Sequence, residues 1–353
     1  MKHLLKFQAN VFAIAFILLI SISSVLSAQK IGIIDAGSSG SRLYIYEIKD
    51  HKLNVLYPTS QAVSNKGRAL SGVANHTDSI YAFLDTMTNK YMLSGTDSVD
   101  LYILATAGMR LERKSQADSI YSIIKGNATT LKRKKYNLKE AMTISGKYEG
   151  FYAWIAANYR NEKLKLNSRD SLTCSNDTTY GILEIGGASM QIAFKADNES
   201  DKDEVKSNWI KQLYSKSYLR GGVDQVFDSI SYNRISIDKS YKFAIPLDSK
   251  NSSYNQMPKF YALGKPLEIV LDGAKNNDIS SIRKYADSLS NKDSTDKYHP
   301  YTNVYYIAWV VDSLKLSGKL EVPQIKSDWT EGAALDILVN KERPEEFNYK
   351  VEN

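Results

Sequence analysis

Cysteine is nearly absent. Its one occurrence in 353 residues, Cys174, excludes an intramolecular disulfide and a lipid-bearing cysteine at the end of the N-terminal leader. Histidine is scarce as well. The four, at 3, 51, 76 and 299, lie in no recognisable motif, so no Cys–His or Ser–His–Asp arrangement offers a nucleophilic centre. After residue 28 no apolar run reaches membrane-spanning length, and there is no short-period repeat or low-complexity tract. Charge of one sign is in short supply too: the net +7 is modest, and Lys2 and Lys6 fall in the leader. That balance suits anionic ligands such as nucleotides, or solubility, and nothing calls for nucleic acid. The run Lys132–Lys135 reads as a solvated helix end or loop.

What is present is an ordinary globular composition, 43% hydrophobic and 24% charged, with enough chain for two domains. Met1–Ala28 has the physics of a secretory signal: Lys2, His3 and Lys6, an almost wholly apolar Val11–Leu26, then small residues. Cleavage near Ser27 or Ala28 would leave a soluble protein, secreted or periplasmic, with no stable membrane span; an uncleaved anchor is the alternative. Secretion without disulfides fits a bacterial periplasm or effector better than an animal ectodomain.

The organising stretch is Ile31–Ile48: an apolar strand ending at Asp35, a turn of Gly37, Ser38, Ser39 and Gly40, then a strand from Arg42. Such a turn is either a tight hairpin whose Asp caps it, or a row of N–H and O–H donors for phosphate. In the second case Asp35 needs a cation between itself and the anion. Tyr180–Phe194 repeats the unit: with Glu184 placed on Asp35, Gly186 falls on Gly37, Gly187 on Ser38 and Gln191 on Arg42, an offset of 184 − 35 = 149 positions. Two such loops predict two similar lobes holding one phosphate-bearing ligand from opposite sides.

Periodicity predicts helices over Asp78–Met92, Met109–Glu112, Gln116–Ile124, Ser281–Leu289, Asn303–Leu316 and from Ser327 to Val339, the last packing back on the first lobe. Strands are predicted at Val99–Ala105 and Ile235–Phe243, an apolar segment at Phe260–Leu263, and polar connections at Asn161–Thr179, Lys195–Lys206 and Lys250–Gln256. Thr106-Ala-Gly aims a hydroxyl above the sheet, or is an ordinary strand–helix turn. In the helix that starts at Gly146, Phe151 and Trp154 read as core, while Glu149 is either an N-terminal cap or a proton acceptor beside a cleft.

Five segments in order, Asp35-Ala-Gly-Ser-Ser-Gly-Ser-Arg42, Ala105-Thr-Ala-Gly-Met-Arg110, Tyr148-Glu-Gly-Phe-Tyr-Ala-Trp-Ile-Ala-Ala-Asn158, Glu184-Ile-Gly-Gly-Ala-Ser-Met-Gln191 and Asp328-Trp-Thr-Glu-Gly-Ala333, resemble the apyrase conserved regions of the nucleoside triphosphate diphosphohydrolases, the ecto-apyrase and Golgi nucleoside-diphosphatase family. The resemblance implies an α/β protein with two ribonuclease-H-like lobes of the actin/Hsp70/sugar-kinase fold and an interlobe active site. The implied divisions are a signal at 1–28, lobe I at 29–145 plus 325–353, and lobe II at 146–324.

It further implies Glu149 as general base, with Thr106, Ser189 and Gln191 completing the catalytic set. Gly37, Ser38, Ser39, Gly40 and Arg42 on one side, with Gly186, Gly187 and Ala188 on the other, would bind phosphate. Asp35 and Glu184 would hold Mg²⁺ or Ca²⁺ through water, with Trp329 near the metal shell and Tyr305 and Tyr306 at the nucleobase. The family has Asp where this chain has Glu184. The expectation is a secreted, monomeric apyrase acting on nucleoside tri- and diphosphates. The rivals are a nucleoside-diphosphatase or polyphosphate phosphatase of the same fold, or a nucleotide-binding module without turnover.

Overall fold

The apolar run before Asp35 becomes the central strand of a sheet, with Ile31, Ile33 and Ile34 at most 1% exposed. The structure is a computed structural model describing residues 29–59, 66–73, 75–95, 97–174, 179–195, 210, 213–232, 257, 259–290 and 300–349. The leader, the strand expected at 235–243 and the loop expected at 250–256 lie outside the described residues.

The first half comprises β1 (Lys30–Gly37), β2 (Gly40–Lys49), β3 (Lys52–Tyr57), a two-residue β4 (Lys66–Gly67), α1 (Thr77–Thr88), β5 (Val99–Ala105), α2 (Ala107–Arg110), α3 (Lys114–Gly126), α4 (Ala128–Arg133) and β6 (Tyr136–Thr143). Their sheet runs β3-β2-β1-β5-β6, with β4 added to β2. The first three strands are antiparallel hairpins; β5 and β6 run parallel to β1, which requires crossovers.

Then follow α5 (Gly146–Arg160), a small hairpin of β7 (Leu164–Leu166) and β8 (Leu172–Cys174), β9 (Gly181–Ile185), β10 (Ser189–Lys195), β11 (Leu213–Leu219), α6 (Val223–Tyr232), β12 (Phe260–Leu263), α7 (Lys265–Ala274), α8 (Ile279–Ser290), α9 (Pro300–Ser313), β13 (Leu320–Glu321) and α10 (Trp329–Leu335), which continues into a π-helical turn, Asp336–Asn340. The second sheet runs β11-β10-β9-β12-β13, again three antiparallel strands followed by two parallel to the first. Order and direction repeat those of the first sheet, the two-lobed ribonuclease-H-like architecture. The segment Asn161–Thr179, expected to be a surface connection, contains the β7–β8 hairpin, whose Leu164 and Leu172 are buried.

Helix α5 starts at Ser145, whose hydroxyl caps it by accepting the Tyr148 N–H at 3.3 Å. Its residues from Tyr148 to Asn158 are all buried, so it has no solvent face to make it amphipathic. One side underlies the second sheet; another takes α10. The last helix packs chiefly on α5 and also touches the first sheet: Tyr46 shares a 2.7 Å hydrogen bond with Thr330 Oγ1, and Tyr44 donates to Asp328 Oδ2 at 3.0 Å.

The α5–α10 contact is backbone-close, because a Cβ built on Gly332 would lie 1.9 Å from the Tyr152 carbonyl oxygen. Gly332→Ala is therefore expected to destabilise the protein by about 1–3 kcal/mol. Gly126→Ala, at a helix end where a Cβ would meet nothing within 4 Å, serves as the neutral control. Paired thermal melts check this; equal midpoints would mean that the contact is not tight.

Candidate active site

In the first hairpin Asp35 lies opposite Arg42 and Gly37 opposite Gly40, leaving Ser38 and Ser39 as the turn. Gly40 has φ 149°, and a Cβ there would sit 2.7 Å from the Gly67 carbonyl, so this corner needs glycine. In the second hairpin Glu184 lies opposite Gln191. The offset between Arg42 and Gln191, 191 − 42 = 149, equals that between the two acids, so the hairpins are equivalent residue for residue. The second turn is pinned by the start of α6. Gly186 accepts the Val223 N–H and Gly187 the Asp224 N–H, both at 3.0 Å, and Ala188 accepts from Arg220 at 2.9 Å.

The turns face each other: a Cβ on Gly187 would lie 3.4 Å from Ser38 Oγ. Thr106, buried at the end of β5, precedes α2 and donates its N–H to the Ala36 carbonyl at 3.3 Å, beside the first turn.

Glu149 enters between the lobes from α5 and is 7% exposed. Gln191 Nε2 lies 3.1 Å from Glu149 Oε2, 2.7 Å from Ser189 Oγ and 3.2 Å from Ser217 Oγ. The fully buried Arg110 donates Nη2 to the same Glu149 oxygen and Nη1 to Ser217 Oγ at 3.4 Å. A Cβ on Gly146 would lie 2.1 Å from Arg110 Nη1, so glycine at the helix start is what admits the guanidinium.

Lobe I thus contributes Arg110, and lobe II Gln191, Ser189 and Ser217, to one carboxylate. The sequence reading missed Ser217, which lies opposite Gln191 in β11, and assigned no role to Arg110, the last residue of the Thr-Ala-Gly segment. It also missed Asp328, the N-cap of α10.

Residues 27–241, more than half of the 353-residue chain, match the profile of the GDA1/CD39 (nucleoside phosphatase) family. The chain belongs to that family. Over 203 residues, 54% of this chain and 39% of the relative, it is 34% identical to ectonucleoside triphosphate diphosphohydrolase 1 of Bos taurus. Over 234 residues, 58% of this chain and 41% of the relative, it is 29% identical to the nucleoside-triphosphatase ntp-1 of Caenorhabditis elegans. The match therefore spans about two fifths of these curated relatives' length. A nucleoside triphosphate hydrolase structure from Neospora caninum superposes with a TM-score of 0.59 at 12% identity, covering 95% of this chain and 97% of that one. The Aquifex aeolicus PPX-GPPA enzyme superposes with a TM-score of 0.51 at 14% identity, covering 87% and 99%. At these identities the likeness concerns the fold, which is the two-lobed actin/Hsp70/sugar-kinase type.

In this GDA1/CD39 family member the electrostatics between the lobes are one-sided. Burial, then the charge of Asp328, pushes the Asp35 carboxyl well above its ordinary value, against the pull of Arg42 at 3.4 Å. Glu184 is pushed well up by burial and by Glu149, Asp328 and Asp35. Glu149 is raised by burial, though Arg110 opposes the shift. Glu331, behind Asp328 and paired with Arg160, is pushed by burial to about 7.

Glu184 and Asp328 line one cavity of ≈ 210 Å³ together with Gly264, Lys265 and Trp329. Trp329 stacks on Tyr152 with ring centroids 6.4 Å apart. The nucleobase assignment needs correction. Tyr306 is fully buried among Val310, Leu314 and the rest of the second core, its hydroxyl donating to the Gly221 carbonyl at 2.6 Å. A ring with no exposed face cannot stack on a base. Tyr305 packs on the same core and is half-buried.

Carboxyls whose pKa is higher folded than unfolded favour the folded state while protonated. That contribution is complete below about pH 4, near the ordinary carboxyl values, and is lost as pH rises through the folded pKa. Chelator-treated protein is expected to melt at a lower temperature at pH 8 than at pH 5.5, with a shallower slope in Glu184→Gln. A midpoint rising with pH, or an unchanged slope in the variant, would contradict this electrostatic picture.

Proposed function

We propose that this protein is a secreted apyrase that hydrolyses the terminal phosphates of nucleoside tri- and diphosphates. The observation that carries this reading is the pair of register-equivalent acid–turn hairpins facing each other, with Glu149 bonded to Gln191 of the second hairpin. The leader at 1–28 supports export. Among the described residues no helix is long and apolar enough to cross a membrane. One chain supplies both turns and the base, so action as a monomer is part of the proposal.

The residues fit a divalent cation. Glu184 Oε2 is sealed from solvent and has no hydrogen-bond partner among the described residues. The cations that offset the buried charge of Asp35, Glu149 and Glu184 are the guanidiniums of Arg42 and Arg110. No three such side chains among the described residues converge closely enough to ligate an ion directly. Asp35 and Glu184 are accordingly assigned to hold Mg²⁺ or Ca²⁺ through water, beside Trp329. Such an ion supplies charge neutralisation for the phosphates.

The chain's own residues supply the rest. Ser38 and its neighbours grip the phosphate from one side, Gly187, Ala188 and Ser189 from the other. Thr106 lies beside the first turn, positioned for the terminal phosphate. Ser189 and Gln191 orient a water, and Glu149 accepts its proton as the oxygen attacks in line. The bond from the terminal phosphorus to the bridging oxygen breaks, and the leaving nucleotide keeps the electron pair. Arg110 holds the base by one oxygen and favours its ionised form, offsetting part of the burial.

Glu149→Gln is expected to lower kcat by about 10²–10⁴-fold while nucleotide affinity is kept. Phosphate release and calorimetric ATP binding measure the two; turnover near wild type would remove Glu149 as the base. A panel of nucleoside tri-, di- and monophosphates and polyphosphate, with Mg²⁺ or Ca²⁺ added after EDTA, tests the substrate class. Release from polyphosphate alone would favour the polyphosphatase reading, and binding without release the turnover-free one.

A further inference from the structure

Ser217 lies where the two hydrogen-bonding partners of the Glu149 carboxylate meet. Its Oγ accepts from Arg110 Nη1 at 3.4 Å and from Gln191 Nε2 at 3.2 Å. The same guanidinium gives Nη2 to Glu149 Oε2, and the same amide nitrogen stands 3.1 Å from that oxygen. The four groups therefore form a closed ring, with Ser217 opposite the carboxylate. The ring gathers both lobes: Arg110 ends α2, Glu149 lies in the first turn of α5, and Gln191 and Ser217 are opposed across β10 and β11. Its corner has no slack, since a Cβ built on Gly146 would lie 2.3 Å from Ser217 Oγ and 2.1 Å from Arg110 Nη1.

We propose that Ser217 is a positioning residue, whose hydroxyl ties Arg110 to Gln191 so that both stay on Glu149 Oε2 and leave Oε1 to take the proton of the attacking water. This inference rests on the hydrolytic reading above and deepens it, by stating which oxygen is the base and what keeps it so. Oε1 makes no hydrogen bond among the described residues, whereas Oε2 takes two donors. A carboxylate oxygen already holding two donors, one of them charged, is the weaker proton acceptor of the pair. Rotating the carboxyl would exchange the two oxygens, and fixed donors prevent it. Arg110 depends on the tie. It is 1% exposed, its Nε has no partner, and its acceptors among the described residues are Glu149 and Ser217 alone. Without Ser217 the guanidinium would keep a single bond and could pivot about it. Gln191 depends on it too, because its two amide hydrogens face three acceptors, the nearest being Ser189 Oγ at 2.7 Å. The hydrogen not given to Ser189 is shared between Glu149 and Ser217, which keeps the amide turned towards the base.

The tie is measured without turnover by nitrogen NMR of the arginine side chains in full-length protein, with the Arg110 signals identified by their loss in Arg110→Lys. In wild type Nη1 and Nη2 of Arg110 are expected to give separate signals, because rotating the guanidinium would break both bonds. Ser217→Ala should let it rotate about tenfold faster. In hydrolysis of ATP with Mg²⁺, Ser217→Ala should lower kcat by about 10–100-fold with KM held within about twofold, the split expected when the base is misplaced and phosphate binding is not. Ser215→Ala is the matched control. Ser215 lies on the same face of β11, fully buried, and donates to the Lys147 carbonyl at 2.6 Å, so its loss should lower the melting temperature and spare kcat. Should Ser217→Ala fold poorly, Ser217→Cys, similar in size but only a weak acceptor, is read by the same criteria. Unchanged guanidinium rotation, kcat within about threefold of wild type, or an equal loss of kcat in Ser215→Ala overturns the proposal. Absent phosphate release from wild type would refute the apyrase assignment, whereas the guanidinium rotation still judges the tie.

Discussion

The constraint on which the molecule turns is a concentration of negative charge in a place with little water. Asp35, Glu149, Glu184 and Asp328 converge between two sheets, and the cations set against them are Arg42, loosely, and Arg110, tightly. Like charges at short range in a poorly solvated cleft repel, and a chain selected for stability alone would replace them with apolar residues. On the proposed function their presence has a chemical reason. A site that must receive a polyphosphate and a counterion together has to be built unfinished, with both guests contributing to the balance.

Much of this was legible in the sequence because the chemistry is carried by hairpins. Strand period and turn composition placed Asp35 and Glu184 at equivalent positions, and a hairpin keeps its register once its turn is set. Ser38, Gly187 and Glu149 also lie in short local segments, but the residues alone left their roles open and the family resemblance assigned them. What escaped depends on the tertiary arrangement. Ser217 lies in a strand that carries no motif, and only its pairing with Gln191 brings it to the carboxylate. Arg110 reaches a partner 39 residues away through the notch at Gly146. Asp328 caps α10, and no local pattern states that this cap borders a cavity.

Tyr306 shows the opposite failure. In a helix rich in apolar residues an aromatic is usually core, and a resemblance to a base-binding segment was followed over that pattern. The structure keeps the tyrosine inside, its hydroxyl satisfied by the Gly221 carbonyl just after β11. It braces the segment whose N–H groups pin the second turn.

The nearness of the two turns has a mechanical corollary. Phosphate gripped from both sides needs donor–oxygen separations of about 2.7–3.0 Å on each flank. That cannot be accommodated where Ser38 Oγ already stands 3.4 Å from the point a Cβ would occupy on Gly187. On the proposed function, admitting nucleotide would require the halves to swing apart about the chain's two crossings, the short one before α5 and the longer one leading into α10. The jaws of this molecule do their holding only after they have first yielded.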